Sequence, residues 1–427
     1  MAIVLGCIAD DFTGATDLAA LLARSGFPVS LRIGVPDAGE PATDAAAFEV
    51  IALKIRNLVA ENAIEQANHA LTWLQDAGAK KIFWKYCSTF DSTEKGNIGP
   101  VAEMLMEKLG AQQTIYCPAF PQNGRSVYMG HLFVGRQLLS ESPMKDHPLT
   151  PMRQSDLVRL LQPQVRGKTG VIDRNTVLQG AGSVTRELEK LAVDGVAHVI
   201  IDTLSDNDLA TIAAAVMTMP LVTGGSAIAG QLPNLYVKHG LMAAPEQNRQ
   251  TLLKDEIGPG QLVLSGSCSA MTRSQVTHYS AKAASLRLDP VAIANEGTEA
   301  ARNWLRRQPV DQAKLIYATA EPDEVRHAQE VLGSEKAGLV VEQALAELAD
   351  EAFSLGIRRF VIAGGETSGA VTEALGISRL QIGREIAPGV PWTYTTVQGE
   401  RIALALKSGN FGEKTFFDDA FTTLEAA

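Results

Sequence analysis

Cysteine is scarce in this sequence: Cys7, Cys87, Cys117 and Cys268 are the only four in 427 residues, and they lie far apart. With no Cys-x-x-Cys pair and no histidine cluster at ligand spacing, neither a disulfide framework nor a zinc site is indicated, and buried thiols are expected. Long hydrophobic runs are missing as well. The apolar opening at residues 3–8 is too short for a signal peptide and is followed at once by acids, and no other run approaches a membrane span. A cytoplasmic protein with no membrane partner is therefore expected. Positive charge is in deficit, with 38 Lys and Arg against 48 Asp and Glu and a formal net charge of −10. Nonspecific nucleic-acid binding needs a basic stripe to displace counterions, so nucleic acid is not an expected partner and any anionic ligand must be held by local charge. The chain also lacks a Gly-x-x-x-x-Gly-Lys-Ser/Thr loop and a complete Gly-x-Gly-x-x-Gly fingerprint, which excludes the two commonest nucleotide signatures.

The length exceeds that at which single cores stop growing, so at least two domains are expected. Apolar stretches of strand length alternate with helical periodicity from the first residues onward. Residues 3–8 read as a buried strand, 9–17 as a loop and 18–22 as a helix, which puts Asp10, Asp11 and Asp17 near a strand's carboxyl edge, where open α/β sheets bind ligands. Helix capping by Asp10, Asp11 or Thr13 is the structural alternative. Further strands follow at 28–33 and 48–54, the latter ending at Arg56, whose planar fork suits a carboxylate. A strand ending at Lys85-Tyr86 opens a loop rich in hydroxyls, charges and an amide, including Ser88, Asp91, Ser92, Lys95 and Asn97; such groups suit a polyhydroxylated acid. The strand at 114–117 leads through a proline-rich turn to Arg125, expected at another carboxyl end. Strands at 196–203 and 221–226 complete a parallel sheet over residues 1–243. A polar stretch at 244–260 reads as a linker.

Residues 261–427 read as a second α/β domain in which three strands end in small polar residues. These are Ser265-Gly266-Ser267 after 261–264, Gly364-Gly365-Glu366-Thr367-Ser368-Gly369 after 360–363, and Lys407-Ser408-Gly409-Asn410 after 402–406. A strand that ends in glycines and opens a helix aims backbone N–H groups and the positive helix end at one point, which suits phosphate. Each loop alone could be a tight turn; three in one domain fit a nucleotide site better. The fold expected is α/β with two domains, each a largely parallel sheet flanked by helices and with the active site in the cleft between them. One domain suited to a small polar acid and one suited to phosphate together fit phosphoryl transfer, in which an Asp activates the attacking hydroxyl and Mg²⁺ bridges the phosphates.

These segments carry a resemblance. The sequence resembles the four-carbon acid sugar kinase family through Ala9-Asp10-Asp11-Phe12-Thr13-Gly14-Ala15, the loop from Asp91 to Gly99, Leu264-Ser265-Gly266-Ser267, the glycine loop at 364–369 and Lys407-Ser408-Gly409-Asn410-Phe411-Gly412, in the family's order. The form Lys85-Tyr86-Cys87-Ser88-Thr89-Phe90-Asp91-Ser92-Thr93, with Asn123-Gly124-Arg125 and the segment 147–152, looks most like the branch acting on 3-oxo-tetronates; threonate and erythronate kinases of the family have a shorter form there, without Phe90. The resemblance implies an N-terminal sugar-acid domain, a C-terminal ATP domain and transfer from ATP to the terminal hydroxyl of the acid. Carried over by motif, Ser267, Gly364 to Thr367 and Gly409 contact ATP, and Asp10, Asp11, Arg56, Lys85 and Asp91 face the substrate. Asp11 is taken as the base and Asp10 as its aid toward metal or substrate. A noncatalytic, nucleotide-dependent sensor of sugar acids is the rival from another class. No metal ligand is named, and the sequence is compatible with a homo-oligomer without determining one.

Overall fold

A computed structural model describes residues 3–36, 45–146, 150–245 and 257–425. It divides into two compact units, residues 1–246 and 247–427. The chain runs through β1 (Leu5–Ala9), β2 (Val29–Ile33), β3 (Phe48–Ala52), β4 (Ile82–Lys85), β5 (Thr114–Cys117), β6 (Arg125–Tyr128), β7 (His131–Val134), β8 (Gln137–Leu138), β9 (Lys168–Ile172), β10 (Val196–Ile201) and β11 (Leu221–Gly224) in the first unit. Within this unit the strands order as β2-β3-β1-β4-β11-β5-β10-β9, all parallel, while β6-β7-β8 form a small antiparallel sheet. Helices cover both faces of a parallel sheet, so its central strands are buried along their length: every residue of β1, β3 and β4 is buried, Glu49 and Lys85 included. The flanking helix Ile98–Leu109 turns Ile98, Val101, Ala102, Leu105 and Met106 inward at helical spacing and stops at Gly110, whose φ of 66° closes the helix in the left-handed region.

Strand order explains where chemistry can sit. Strand β1 lies between β3 and β4: the chain leaves β1 for β2, returns through β3 and then crosses to β4 on the other side, and that reversal opens a crevice at their carboxyl ends. The Asp10 backbone spans it: its N–H donates to the Lys85 carbonyl at 3.0 Å, and its carbonyl accepts from Ile55 at 3.0 Å and Arg56 at 3.2 Å. Asn97 reinforces the same corner, its amide donating to the carbonyls of Ile55 (2.7 Å), Leu58 (3.0 Å) and Arg56 (3.3 Å).

The second unit holds β12 (Gly260–Ser265), β13 (Ala284–Arg287), β14 (Lys314–Tyr317), β15 (Ile357–Ala363), β16 (Arg379–Ala387), β17 (Val390–Val397) and β18 (Glu400–Lys407). Their order is β13-β14-β12-β15-β18-β17-β16, parallel as far as β18 and antiparallel beyond. Trp392 on β17 is fully buried and donates to the Ala420 carbonyl at 2.9 Å, fastening the last helix, Phe416–Glu425, to the sheet.

Several expectations needed correcting. The loop expected at 9–17 is mostly helix, because Phe12–Ala23 starts directly after its cap, Asp11. The stretch 290–306 forms two helices, Pro290–Glu296 and Glu299–Arg306, broken where Gly297 takes φ 75°. Arg125 opens β6 instead of closing a strand, since Pro121–Asn123 forms a turn of 3-10 helix that reverses the chain. Strands β9, β13, β16 and β17 and the helix Pro322–Leu332 were not anticipated. Residues 147–149 and most of the expected linker at 244–260 lie outside the described residues.

An ion pair inside the sheet holds the β2–β3 edge. Arg32 Nε lies 2.7 Å from Glu49 Oε1, both side chains are almost wholly buried, and Glu49 Oε2 also accepts from the Ala46 N–H at 3.0 Å. Removing one member leaves a charge without its partner inside the protein. Glu49→Ala is expected to destabilise the first unit by about 3–5 kcal/mol in urea unfolding, and an unchanged midpoint would refute that role for the pair.

Candidate active site

At the carboxyl ends of β1, β3 and β4, three aspartates gather round one arginine. Arg56 grips Asp10 with two bonds, Nε to Oδ2 at 2.7 Å and Nη2 to Oδ1 at 2.9 Å. Its Nη2 is also 2.7 Å from Asp11 Oδ1, and its Nη1 is 3.7 Å from Asp91 Oδ2. Burial works against the guanidinium charge, but Asp10 and Asp11 outweigh it and hold Arg56 protonated. Asp11 is the most open of the acids, with 27% of its side chain exposed, and caps the following helix by accepting from the Gly14 N–H at 2.9 Å. Burial, with Asp10 adding repulsion, raises the Asp11 pKa above the ordinary carboxylate value against the pull of Arg56 and Lys85. Lys85 is buried with Nζ donating to the Tyr86 carbonyl at 2.9 Å.

The loop after β4 is held by an unusual residue. Phe90 takes φ 53° although it is neither Gly nor Asn, is fully buried, and sets its ring 5.3 Å from that of Tyr86 and 6.4 Å from that of Tyr116. On either side of it, the Thr89 hydroxyl donates to Asp91 Oδ1 at 2.5 Å. Aromatic anchoring of this left-handed residue therefore fixes the acid that faces Arg56. Cys87 stands beside Thr89 at 2.9 Å, and burial pushes its thiol up to about 12, so it remains protonated at neutral pH.

In the second unit, β12, β15 and β18 are neighbours, and their three loops meet. Gly266 and Ser267 N–H groups both donate to the Ala363 carbonyl at 3.1 Å, and Gly364 N–H donates to the Lys407 carbonyl at 2.9 Å. A Cβ on Gly409 would lie 2.7 Å from Ser267 Oγ, and one on Gly364, already at φ 132°, would lie 2.8 Å from Thr367 Oγ1. Glycine is thus required for the loops to pack together. Gly266, Ser267, Gly364, Gly365, Glu366, Thr367 and Gly409 line one end of a cavity of about 970 Å³. Its far wall comes from Pro290–Glu296, Pro322–Leu332 and Ser334–Ser354, with Leu288, Val291, Ala292 and Val341 giving apolar surface; volume and lining suit a nucleotide.

Two family models match this chain, a sugar-binding N-terminal domain over residues 5–232 and a nucleotide-binding C-terminal domain over residues 262–417. The chain belongs to the four-carbon acid sugar kinase family. A protein named 3-oxo-tetronate kinase from Burkholderia multivorans is 49% identical over 425 residues, covering 99% of this chain and 98% of the relative. One of the same name from Pseudomonas fluorescens is 48% identical, covering 99% and 97%. Among solved structures, a Salmonella typhimurium LT2 protein carrying a tRNA-synthase designation superimposes with a TM-score of 0.88 at 39% identity, covering 97% of this chain and 98% of its own. A Haemophilus influenzae protein gives 0.82 at 39% identity, covering 98% and 100%.

The residues named from sequence fall into distinct environments. Asp10, Asp11, Arg56, Lys85, Asp91 and Asn97 share one corner of the first unit, whereas Ser88 is half-buried in the same loop and Lys95 is exposed. Ser92 Oγ accepts from Gln164 Nε2 at 3.1 Å, so it also helps anchor its loop. Arg125 donates from Nη1 to the carbonyl of Asn123. In the second unit, Ser265 is buried behind the cavity with its hydroxyl 2.7 Å from that of Thr319, and Ser368 is turned inward onto the Gly364 carbonyl at 2.7 Å. Thr89, Gln164, Ser269 and Thr272 were missed; each is a common polar residue whose part depends on a distant partner.

Gly14 was quoted only as part of a motif, yet it makes room for the acids. A Cβ there would lie 2.4 Å from Asp11 Oδ1 and 2.6 Å from Lys85 Nζ. Gly14→Ala is expected to cut kcat by about a hundredfold through displacement of these two groups while nucleotide affinity, measured by calorimetry, stays at the wild-type value. Wild-type turnover in this variant would refute the requirement for that spacing.

Proposed function

We propose that this protein is an ATP-dependent kinase that phosphorylates the 4-hydroxyl of a four-carbon sugar acid, with 3-oxo-tetronate as its substrate. The observation that carries this reading is near-complete coverage by relatives named 3-oxo-tetronate kinase at 48–49% identity, in a chain that presents an acid and arginine cluster on one unit and a glycine-lined cavity on the other. The tRNA-synthase designation of one solved relative sits poorly with a net charge of −10. No helix among the described residues is long and apolar enough to cross a membrane. A cytoplasmic place of work, where ATP is supplied, belongs to the same proposal.

Asp11 serves as the base. Asp10 is held at both oxygens by Arg56, whereas Asp11 is the more open carboxylate, and its raised pKa makes it a stronger proton acceptor than an ordinary carboxylate. It takes the proton of the 4-hydroxyl as that oxygen attacks the γ-phosphorus, and the bond from that phosphorus to the bridging β–γ oxygen breaks with ADP leaving. Arg56 keeps Asp10, Asp11 and Asp91 from repelling one another. Lys85, Ser88, Asp91 and Ser92 supply the polar surface for the acid. Backbone N–H groups of the glycine loops receive the phosphates.

Among the described residues no cluster of three His, Cys, Asp or Glu forms a protein-only metal cage. Mg²⁺ does not need one, because it binds through one or two carboxylates plus substrate phosphates. Glu366, carried on the cavity wall by the glycine loop, offers hard oxygen ligands of that type. When bound there, the ion would neutralise phosphate charge.

The deciding measurement is ADP release from ATP and Mg²⁺ with a panel of 3-oxo-tetronates, threonates and erythronates of both hands. Turnover confined to a 3-oxo-tetronate is expected; preference for a threonate or erythronate would move the assignment within the family, and nucleotide binding without any turnover would favour a sensor. Asp11→Asn is expected to abolish turnover while leaving ADP affinity nearly intact. In the wild type, kcat/KM should fall on acidification at a higher pH than an ordinary carboxylate would give, because the base is lost as Asp11 protonates. Normal turnover by Asp11→Asn would remove Asp11 from that role.

A further inference from the structure

The carbonyl of Gly409 accepts three hydrogen bonds. Ser269 Oγ and Thr272 Oγ1 each donate at 2.7 Å, and Lys407 Nζ donates at 2.8 Å. The same ammonium donates to the Ser408 carbonyl at 3.0 Å and lies 3.2 Å from Thr272 Oγ1. Lys407 is wholly buried, with the Phe416 ring 6.0 Å from Nζ.

Charged groups on the neighbouring elements turn elsewhere. On the helix Ala270–Ser280, Arg273 pairs with Glu321 at 3.1 Å and His278 with Asp418 at 3.2 Å. On the helix Phe416–Glu425, Asp418 also meets Lys282, and Asp419 accepts from Thr415 at 2.7 Å. On β15, Arg358 and Arg359 donate to the carbonyls of Phe353 and Ile257. Glu366 is exposed on the cavity wall. Among the described residues, no ion pair includes Lys407.

Peptide planarity gives this cluster a consequence. In a trans peptide the N–H of one residue points opposite to the carbonyl of the residue before it, and the described chain has no cis peptide. With the Ser408 and Gly409 carbonyls drawn back onto the ammonium, the N–H groups of Gly409 and Asn410 point away from it, and Gly409 lies on the cavity wall. Two successive backbone N–H groups turned to one side make an anion-binding concavity.

We propose that Lys407 is a positioning residue for the nucleotide phosphates: from behind the loop it fixes the Ser408 and Gly409 peptides so that their N–H partners face the anion, and it does not touch the nucleotide. The proposal rests on the kinase reading of this cavity. It carries a proton with it. Burial lowers the Lys407 pKa to about 7, so near pH 8 the side chain is largely neutral. Nearby phosphate charge favours the ammonium, so nucleotide binding at that pH takes up a proton.

The test is calorimetric titration of ADP with Mg²⁺ near pH 8, where the nucleotide phosphates are fully ionised, in two buffers of different ionisation enthalpy. Wild-type protein should show proton uptake. Lys407→Met should lose the uptake and bind ADP about tenfold or more weakly, the loss of a charge-assisted hydrogen bond, while KM for the acid stays put. Lys407→Arg, which keeps its charge at every pH used, should recover affinity without uptake. Wild-type affinity in Lys407→Met, or proton uptake that persists in it, overturns the proposal. Should that variant fail to fold, the wild-type titration decides alone, and binding enthalpies with no buffer dependence overturn it. Absence of any ADP binding by wild-type protein instead overturns the nucleotide reading itself.

Discussion

The Arg56 guanidinium is the constraint on which the first unit's site depends. Three carboxylates within reach of one another would repel strongly at neutral pH, and each would tend to protonate or move apart. Arg56 prevents this by gripping Asp10 through two bonds, touching Asp11 and standing near Asp91. Its own backbone is fixed by its N–H donating to the Asp10 carbonyl and by its carbonyl accepting from the Asn97 amide. The acids at β1, the arginine after β3 and the loop after β4 consequently form one unit, and a shift in any of the three strands would be felt by all the charges.

The second unit solves the opposite problem by other means. Its ligand is anionic, yet cations do not crowd the three loops that meet at the cavity. Glycines let the loops after β12, β15 and β18 come within contact of one another, which leaves their peptide groups beside the cavity. The buried Lys407 donates to the Ser408 and Gly409 carbonyls and exposes no charge. In the proposed reading, a chain with net charge −10 holds an anion without a basic surface.

Much of this was legible in the sequence wherever a signal was local. Apolar runs marked β1, β5, β10, β11, β15 and β18, because strands buried on both faces show no polar alternation. Acids and glycines following those runs marked the acid–arginine cluster and the cavity-lining loops. What failed depended on context outside a short window. Strands β13 and β16 are only partly buried and carry polar residues, so no apolar run announces them. The helix Phe12–Ala23 begins earlier than expected because Asp11 serves as its cap, and the same carboxylate also meets Arg56. Ser265 and Ser368 stood within phosphate-like loops by sequence, but which way a hydroxyl turns is set by partners such as Thr319 and the Gly364 carbonyl.

Phe90 shows most clearly what the sequence could and could not supply. By sequence it was an extra residue in a polar loop, and it argued only for one branch of the family over another. In the structure it is a bulky residue with positive φ, a conformation worth of order 1–3 kcal/mol of strain. Its ring is fully buried against Tyr86 and Tyr116, and burial of an aromatic side chain contributes roughly 1.5–3 kcal/mol. The two terms are of similar size, so burial of the ring offsets the backbone strain. What the strain secures is direction: Thr89 and Asp91 flank the turn and meet at 2.5 Å, with the other Asp91 oxygen left facing Arg56. A shorter loop lacking this residue would have neither the anchor nor that turn, and would present a differently shaped polar surface to the acid.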